Sequence, residues 1–134
     1  MRDVMRKPEP AGDPSSHGAD AIGMDQRDLL CALAYVYVAC GQCRRALPLL
    51  RLVVRARPDD VEAVRLMAYA HLANNDGAAA LAAVDRLDVL DTDEASQAPR
   101  LLLRSQALRL QGQMVDARRQ FDRFVAVRTH GGHE

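Results

Sequence analysis

From residue 25 onward, apolar residues return every three or four positions, the period of an amphipathic α-helix, and five polar or Gly/Pro clusters interrupt them. The pattern predicts six helices. Asp25 reads as the N-cap of the first, which reaches residue 40 and stops at Gly41. The second covers 44–56 and ends at Pro58, and Pro48 inside it predicts a kink or a late start. Asp59-Asp60-Val61-Glu62 has the form of a capping box and opens a third helix that runs to residue 73. The turn Asn74-Asn75-Asp76-Gly77 leads to a fourth helix over 78–87. An acidic loop is expected at 88–97, followed by a fifth helix over 99–110 with Pro99 in its first turn. Gly112 then marks a turn, and a sixth helix covers 114–127. Residues 1–24 are rich in Pro, Gly and Ser and have no apolar face, so a disordered N-terminal arm is expected there. Residues 129–134 read as a frayed tail.

Six helices of similar length invite a search for an internal period, and one is present. Leu33-Ala34-x-x-Tyr37, Gly41, Ala46, Leu50 and Pro58 are followed 34 residues later by Met67-Ala68-x-x-His71, Ala80 and Val84. A third copy, Ser105-x-x-Leu108, Gly112, Ala117 and Phe121, arrives after three extra residues in the acidic loop. Small residues at one register let paired helices cross closely, and large ones fill the gap between them. This is the tetratricopeptide (TPR) signature. It implies an all-α fold of three degenerate helix pairs in a short right-handed superhelix, with repeats at about 27–60, 61–94 and 98–131 within a domain of 25–128. The second copy has Thr92 for the usual Pro and His71 for the Tyr, and the third has Arg104 at an apolar site. Leu30, Val64 and Leu101 replace the consensus Trp. An unrelated six-helix bundle is the alternative architecture.

In the TPR family the first helix of each pair lines a concave face. The family's inward positions correspond here to Cys31, Tyr35 and Val38, then Arg65, Tyr69 and Leu72, then Leu102, Gln106 and Arg109. These residues form the expected partner-binding groove. Tyr35 and Tyr69 hold equivalent sites one repeat apart; the alternative is that both rings pack on neighbouring helices. An apolar groove with Arg65 and Arg109 as isolated charges suits an extended or helical segment. TPR domains that clamp a terminal carboxylate have Lys and Asn where Cys31 and Tyr35 stand, so that mode is not expected. Arrays of this kind commonly end in a polar capping helix, and none is left in the pattern. On the last helix Ala117 and Phe121 should face inward, leaving Phe124 and Val125 uncovered as a second candidate partner surface.

Composition changes this picture little. The 134 residues suffice for one domain, and one Lys against seventeen Arg, with abundant Ala and Leu, suits helices. A net charge of zero argues against nucleic acid. The longest apolar run, 29–40, is shorter than the roughly 20 residues that span a bilayer. Met1-Arg2-Asp3-Val4 opens no signal-peptide core, so a soluble, cytoplasmic protein without membrane insertion is expected. Charge is banded: 27–57 carries six Arg and one Asp (+5), 58–94 two Arg and nine acids (−7), and 95–128 seven Arg and two Asp (+5). Such bands either orient a partner or form an ordinary solvated surface. Cys40-Gly41-Gln42-Cys43 has redox spacing, but Cys40 closes a helix, the wrong end of the dipole for an activated thiolate. Cys31, Cys40 and Cys43 lack a fourth zinc ligand at diagnostic spacing, and His130 and His133 read as tail residues. No phosphate-binding loop, zinc-protease helix or nucleophile elbow is present. The expectation is a binding protein with no enzymatic activity, catalytic residue, cofactor or metal.

A small Leu/Ala-rich chain with little beyond three repeats resembles the TPR chaperones of type III secretion, and among them the Y-type (SctY/YscY) family. The residues that carry the likeness are Leu29-Leu30, Gly41-Gln42-Cys43-Arg44-Arg45-Ala46, Leu72-Ala73-Asn74-Asn75-Asp76-Gly77, Leu110-Gln111-Gly112, Asp116-Ala117-Arg118 and Phe124-Val125-Ala126-Val127-Arg128. The resemblance covers 25–128 and implies a bacterial cytoplasmic chaperone. Such a chaperone stabilises a small exported partner (the X-type protein) and brings it to the export gate (SctV-type). A class II translocator chaperone, or a TPR scaffold unrelated to secretion, is the alternative.

Overall fold

The structure, a computed structural model, describes residues 22–131. Six α-helices follow one another: α1 Met24–Ala39, α2 Cys43–Ala56, α3 Val61–Ala73, α4 Gly77–Leu90, α5 Gln97–Leu110 and α6 Met114–Gly131. One 3₁₀ turn, Glu94–Ser96, precedes α5, and no strand occurs among the described residues. The fold is all-α.

Helices α1/α2, α3/α4 and α5/α6 are joined by the same three-residue turn. Gly41 and Gly112 adopt φ of 77° and 78°, and Asn75 takes the equivalent left-handed conformation at φ 60°. In each turn the following residue closes the helix behind it: Gln42 N–H donates to Tyr37 O, Asp76 to His71 O and Gln113 to Leu108 O, at 2.7, 2.8 and 3.0 Å. These are Schellman-type closures, in which a left-handed residue lets the next amide reach back to an orphan carbonyl. Short connections fold each pair into an antiparallel hairpin. Each hairpin then packs on the next through α2–α3 and α4–α5. Helix α1 also touches α3, and α3 touches α5, whereas α2, α4 and α6 make no such contact with one another.

The core repeats with the turns. Ala34 and Ala68, Ala46 and Ala80, Leu50 and Val84, and Val53 and Leu87 are all fully buried. Alanine at the crossings allows the close approach, and the aliphatic residues fill the space between hairpins.

Several expected boundaries move. Gly23, not Asp25, caps α1, and Asp25 lies in the first turn. The first-turn acid still suits the helix dipole. Residues 22–24 are therefore part of the folded chain, while 1–21 of the expected arm lie outside the described residues. Helix α2 starts at Cys43 and carries an exposed Pro48 within it, so the late start is corrected. Asp60, not Asp59, caps α3, its carboxylate accepting from Ala63 N–H at 3.1 Å. Glu62 does not close the box; it pairs with Arg27. Helix α4 continues to Leu90, because Leu87 is buried and Asp85 and Asp88 are bound to arginines of α5. Acids that read as loop are thus helical. Helix α6 runs on through Thr129 and His130 to Gly131, where a frayed tail was expected. Residues 132–134 lie outside the described residues.

Candidate functional site

The expected groove residues divide into three groups. Tyr35 is 63% exposed and Tyr69 42% exposed, at equivalent positions of the contacting helices α1 and α3. Half-buried Val38 and Leu72 lean on the cores behind them. Two residues are corrected. Cys31 is 4% exposed and packs with Val53 and Ala63, so it offers no surface to a partner, and burial pushes its thiol up. Arg65 is not an isolated charge: it donates to the buried carboxylate of Asp91 at 3.0 Å.

The third group, Leu102, Gln106 and Arg109, converges on a groove of about 600 Å³ between α5 and α6. Ser105, Met114, Val115, Ala117, Arg118 and Phe121 complete its lining. Phe121 faces the groove, on the register of Leu50 and Val84. It is nonetheless 43% exposed, because no helix among the described residues covers it as the following helices cover Leu50 and Val84. Phe124 is half-buried, with its ring 5.7 Å from that of Phe121 and the Arg128 guanidinium 5.7 Å from its own centroid. Val125 is exposed. The uncovered surface of α6 is therefore centred on Met114, Val115 and Phe121 rather than on Phe124. Sequence reading passed over Met114, Val115 and Arg118. The signal was in the repeat alignment: Met114 replaces Cys43 and Gly77, and Arg118 replaces Leu47 and Leu81.

The charge bands meet at the joints between hairpins. Arg27 on α1 holds Asp60 in a bidentate pair at 2.6 and 2.8 Å, and also reaches Glu62 at 2.7 Å and Asp28 at 2.9 Å. This pairing holds the Asp60 carboxyl below the usual carboxylate range and raises Arg27. At the next joint Arg104 pairs with Asp85 at 2.7 Å and with Asp88, and Arg100 reaches Asp88 at 3.1 Å. Burial by itself would raise Asp91, but Asp93 N–H, the Ser96 side chain, Arg100 and Arg65 outweigh it and hold the carboxyl low. The bands thus join one repeat to the next.

No protein-family model matches the chain, and no curated protein matches it in sequence. Among the described residues, no group of three or more His, Cys, Asp or Glu is placed to hold a metal ion. Cys31, Cys40 and Cys43 are free thiols. No helix among the described residues is long and apolar enough to cross a membrane. What the surface offers is two exposed aromatic rings, Tyr35 on α1 and Tyr69 on α3, and an open apolar groove at the α5–α6 end. Exposed apolar surface of this kind marks a contact site, and a groove of this volume can take a polypeptide segment or a small ligand.

Proposed function

We propose that this protein is a TPR-type binding module that acts by holding another polypeptide. The observation that carries the reading is the α5–α6 groove, an apolar hollow of about 600 Å³ left open where the two preceding hairpins are filled. Three repeated turns and the contiguous row α1–α3–α5 support a short superhelix with that row on its inner side. The partner's identity follows from the resemblance to Y-type chaperones. On that reading the chain stabilises a small exported X-type protein in the bacterial cytoplasm and brings it to an SctV-type gate. Tyr35, Tyr69 and Leu72 supply the inner surface, and Leu102, Gln106 and Arg109 lead from it into the groove.

The test is co-expression of the tagged chain with the genes flanking its own. A small partner in stoichiometric yield is expected. Tyr35→Ala combined with Tyr69→Ala should weaken its binding about thirtyfold or more while the protein stays helical, since buried aromatic anchors commonly carry 2 kcal/mol or more. Absence of any stoichiometric flanking product removes the export-chaperone reading. Retention of the partner by the double variant removes the inner row as its seat.

A further inference from the structure

In both earlier hairpins, the space that corresponds to the α5–α6 groove is filled by a helix of the chain itself. Ala34, Cys43, Ala46, Leu47 and Leu50 form one cluster with Ala70 of α3, and Leu66 packs beside it. Ala68, Val84 and Leu87 form the next with Leu103 of α5. Counting 34 residues on, and then 37, the first cluster corresponds to Ser105, Met114, Ala117, Arg118 and Phe121. All five line the open groove. The helices that fill the earlier spaces present Leu66 with Ala70 and Leu103 with Ala107, an aliphatic and a small residue four apart on one face. Their direction is also defined. Ala107, Leu110 and Gln111, at the end of α5, lie over Gly77 at the start of α4.

The groove differs from its predecessors in charge. Arg118 stands where Leu47 and Leu81 stand, and Arg109 where Val38 and Leu72 stand. Its lining holds these two cations and no acid. Neither forms an ion pair with another described residue. A second copy of the chain is poorly matched to this. Its natural plug would be α1, where Val36 holds the position of Ala70 and Ala107 and Leu29, Leu33 and Val36 are exposed. Residues 29–40 contain no acid, so that docking would bury Arg109 and Arg118 unpaired, at a desolvation cost. Packing of α6 on α6 would set Arg118 against a helix with four Arg and two Asp, one of which already pairs with Arg119, so the interface would be short of acids.

From this geometry we infer that the groove receives one amphipathic α-helix of a partner polypeptide, antiparallel to α6. The helix sets an aliphatic residue and, four positions on, a small residue against Phe121 and Ala117, and carboxylates in its C-terminal half meet Arg109 and Arg118. The inference rests on the reading of the chain as a polypeptide-binding module and specifies what that module accepts.

The test uses the full 134-residue chain and two synthetic peptides of α5, residues 97–110. One has the natural sequence; the other carries Arg104→Glu and Arg109→Glu. Both keep the Leu103–Ala107 face. By fluorescence anisotropy the acidic peptide should bind about tenfold more tightly than the natural one at low salt. Phe121→Asp in the protein should abolish binding of both peptides. Arg109→Glu with Arg118→Glu should reverse the preference, with unchanged circular dichroism. Equal affinity for the two peptides, no binding of either, or no reversal would overturn the inference. So would concentration-dependent self-association that Phe121→Asp removes, since a second copy would then be the occupant. A flanking partner still held through Tyr35 and Tyr69 while neither peptide binds would leave the proposed function standing and remove only this inference.

Discussion

His71 holds in α3 the position of Tyr37 in α1 and Leu108 in α5. It is 7% exposed, and its Nδ1 has no hydrogen-bond partner. Burial lowers its pKa; Arg51 acts in the same direction, and Asp76 opposes. As pH falls below about 6.5 the unfolded chain takes up a proton that folded His71 resists, so stability declines from there toward the folded pKa. His71→Leu removes both the unpaired polar atom and this titration. Urea midpoints should rise by the equivalent of about 1 kcal/mol at pH 7.5 and by more at pH 5.5. An identical pH slope in variant and parent would show that His71 titrates freely. The repeat register sets His71 at a core aromatic site and so predicts that it packs between helices, and it is buried there. Whether a histidine there is buried depends on hairpins that meet across distant stretches of chain.

The approach of neighbouring helices is set by single small residues. A Cβ on Gly77 would stand 2.8 Å from the Ala107 carbonyl oxygen and 2.9 Å from Leu110 Cβ. In an isolated helix, Gly→Ala stabilises by about 1 kcal/mol. Here Gly77→Ala should lower the melting temperature instead, because backbone rather than a flexible side chain must give way. A stabilised variant would show that α5 lies farther from α4. Ala46 and Ala80 are fully buried, so Ala46→Leu or Ala80→Leu should each cost about 1–3 kcal/mol in denaturant unfolding. Ala117 lines the open groove, and Ala117→Leu should cost less than either. Equal costs at all three sites would mean that the third hairpin is closed. At this scale the helices, turns and repeat register were legible, because they rest on local period and on Gly and Asn at left-handed positions. The ends of α1, α3 and α4 were less so. Choosing Gly23 over Asp25, or Asp60 over Asp59, depends on which group reaches a free amide. The extension of α4 depends on Arg100 and Arg104, which lie on another helix.

Across the whole molecule, the alternating charge bands act as clasps between repeats. Asp60 both caps α3 and anchors Arg27 of α1. Asp60→Asn should cost about 1–3 kcal/mol at neutral pH. The depressed carboxyl contributes stability above its unfolded pKa of about 3.9 and loses it as pH falls through the lower folded value. Parent and variant should therefore converge in strong acid, and a difference that persists there would point to packing rather than charge. A one-dimensional stack is weakest where a neighbour is missing. The amides of α6 should exchange with deuterium faster than those of α3, and binding of the acidic peptide should slow them. Uniform protection across α3 and α6 would mean that the terminal hairpin is already covered.

By itself the sequence determined the six helices, the three-fold repetition and the register that aligns Ala34 with Ala68 and Tyr35 with Tyr69. All of these follow from local periodicity and turn chemistry. The tertiary structure alone decided which of the aligned residues face solvent. Cys31 and Tyr35 lie four apart on one helix, yet the first is sealed by Val53 and Ala63 and the second is open. Leu50, Val84 and Phe121 share one register, but among the described residues only the first two have a following helix to cover them. Burial is a property of neighbours, and the neighbours come from other helices: Val53 and Ala63 lie 22 and 32 residues from Cys31, and Leu103 lies 19 from Val84.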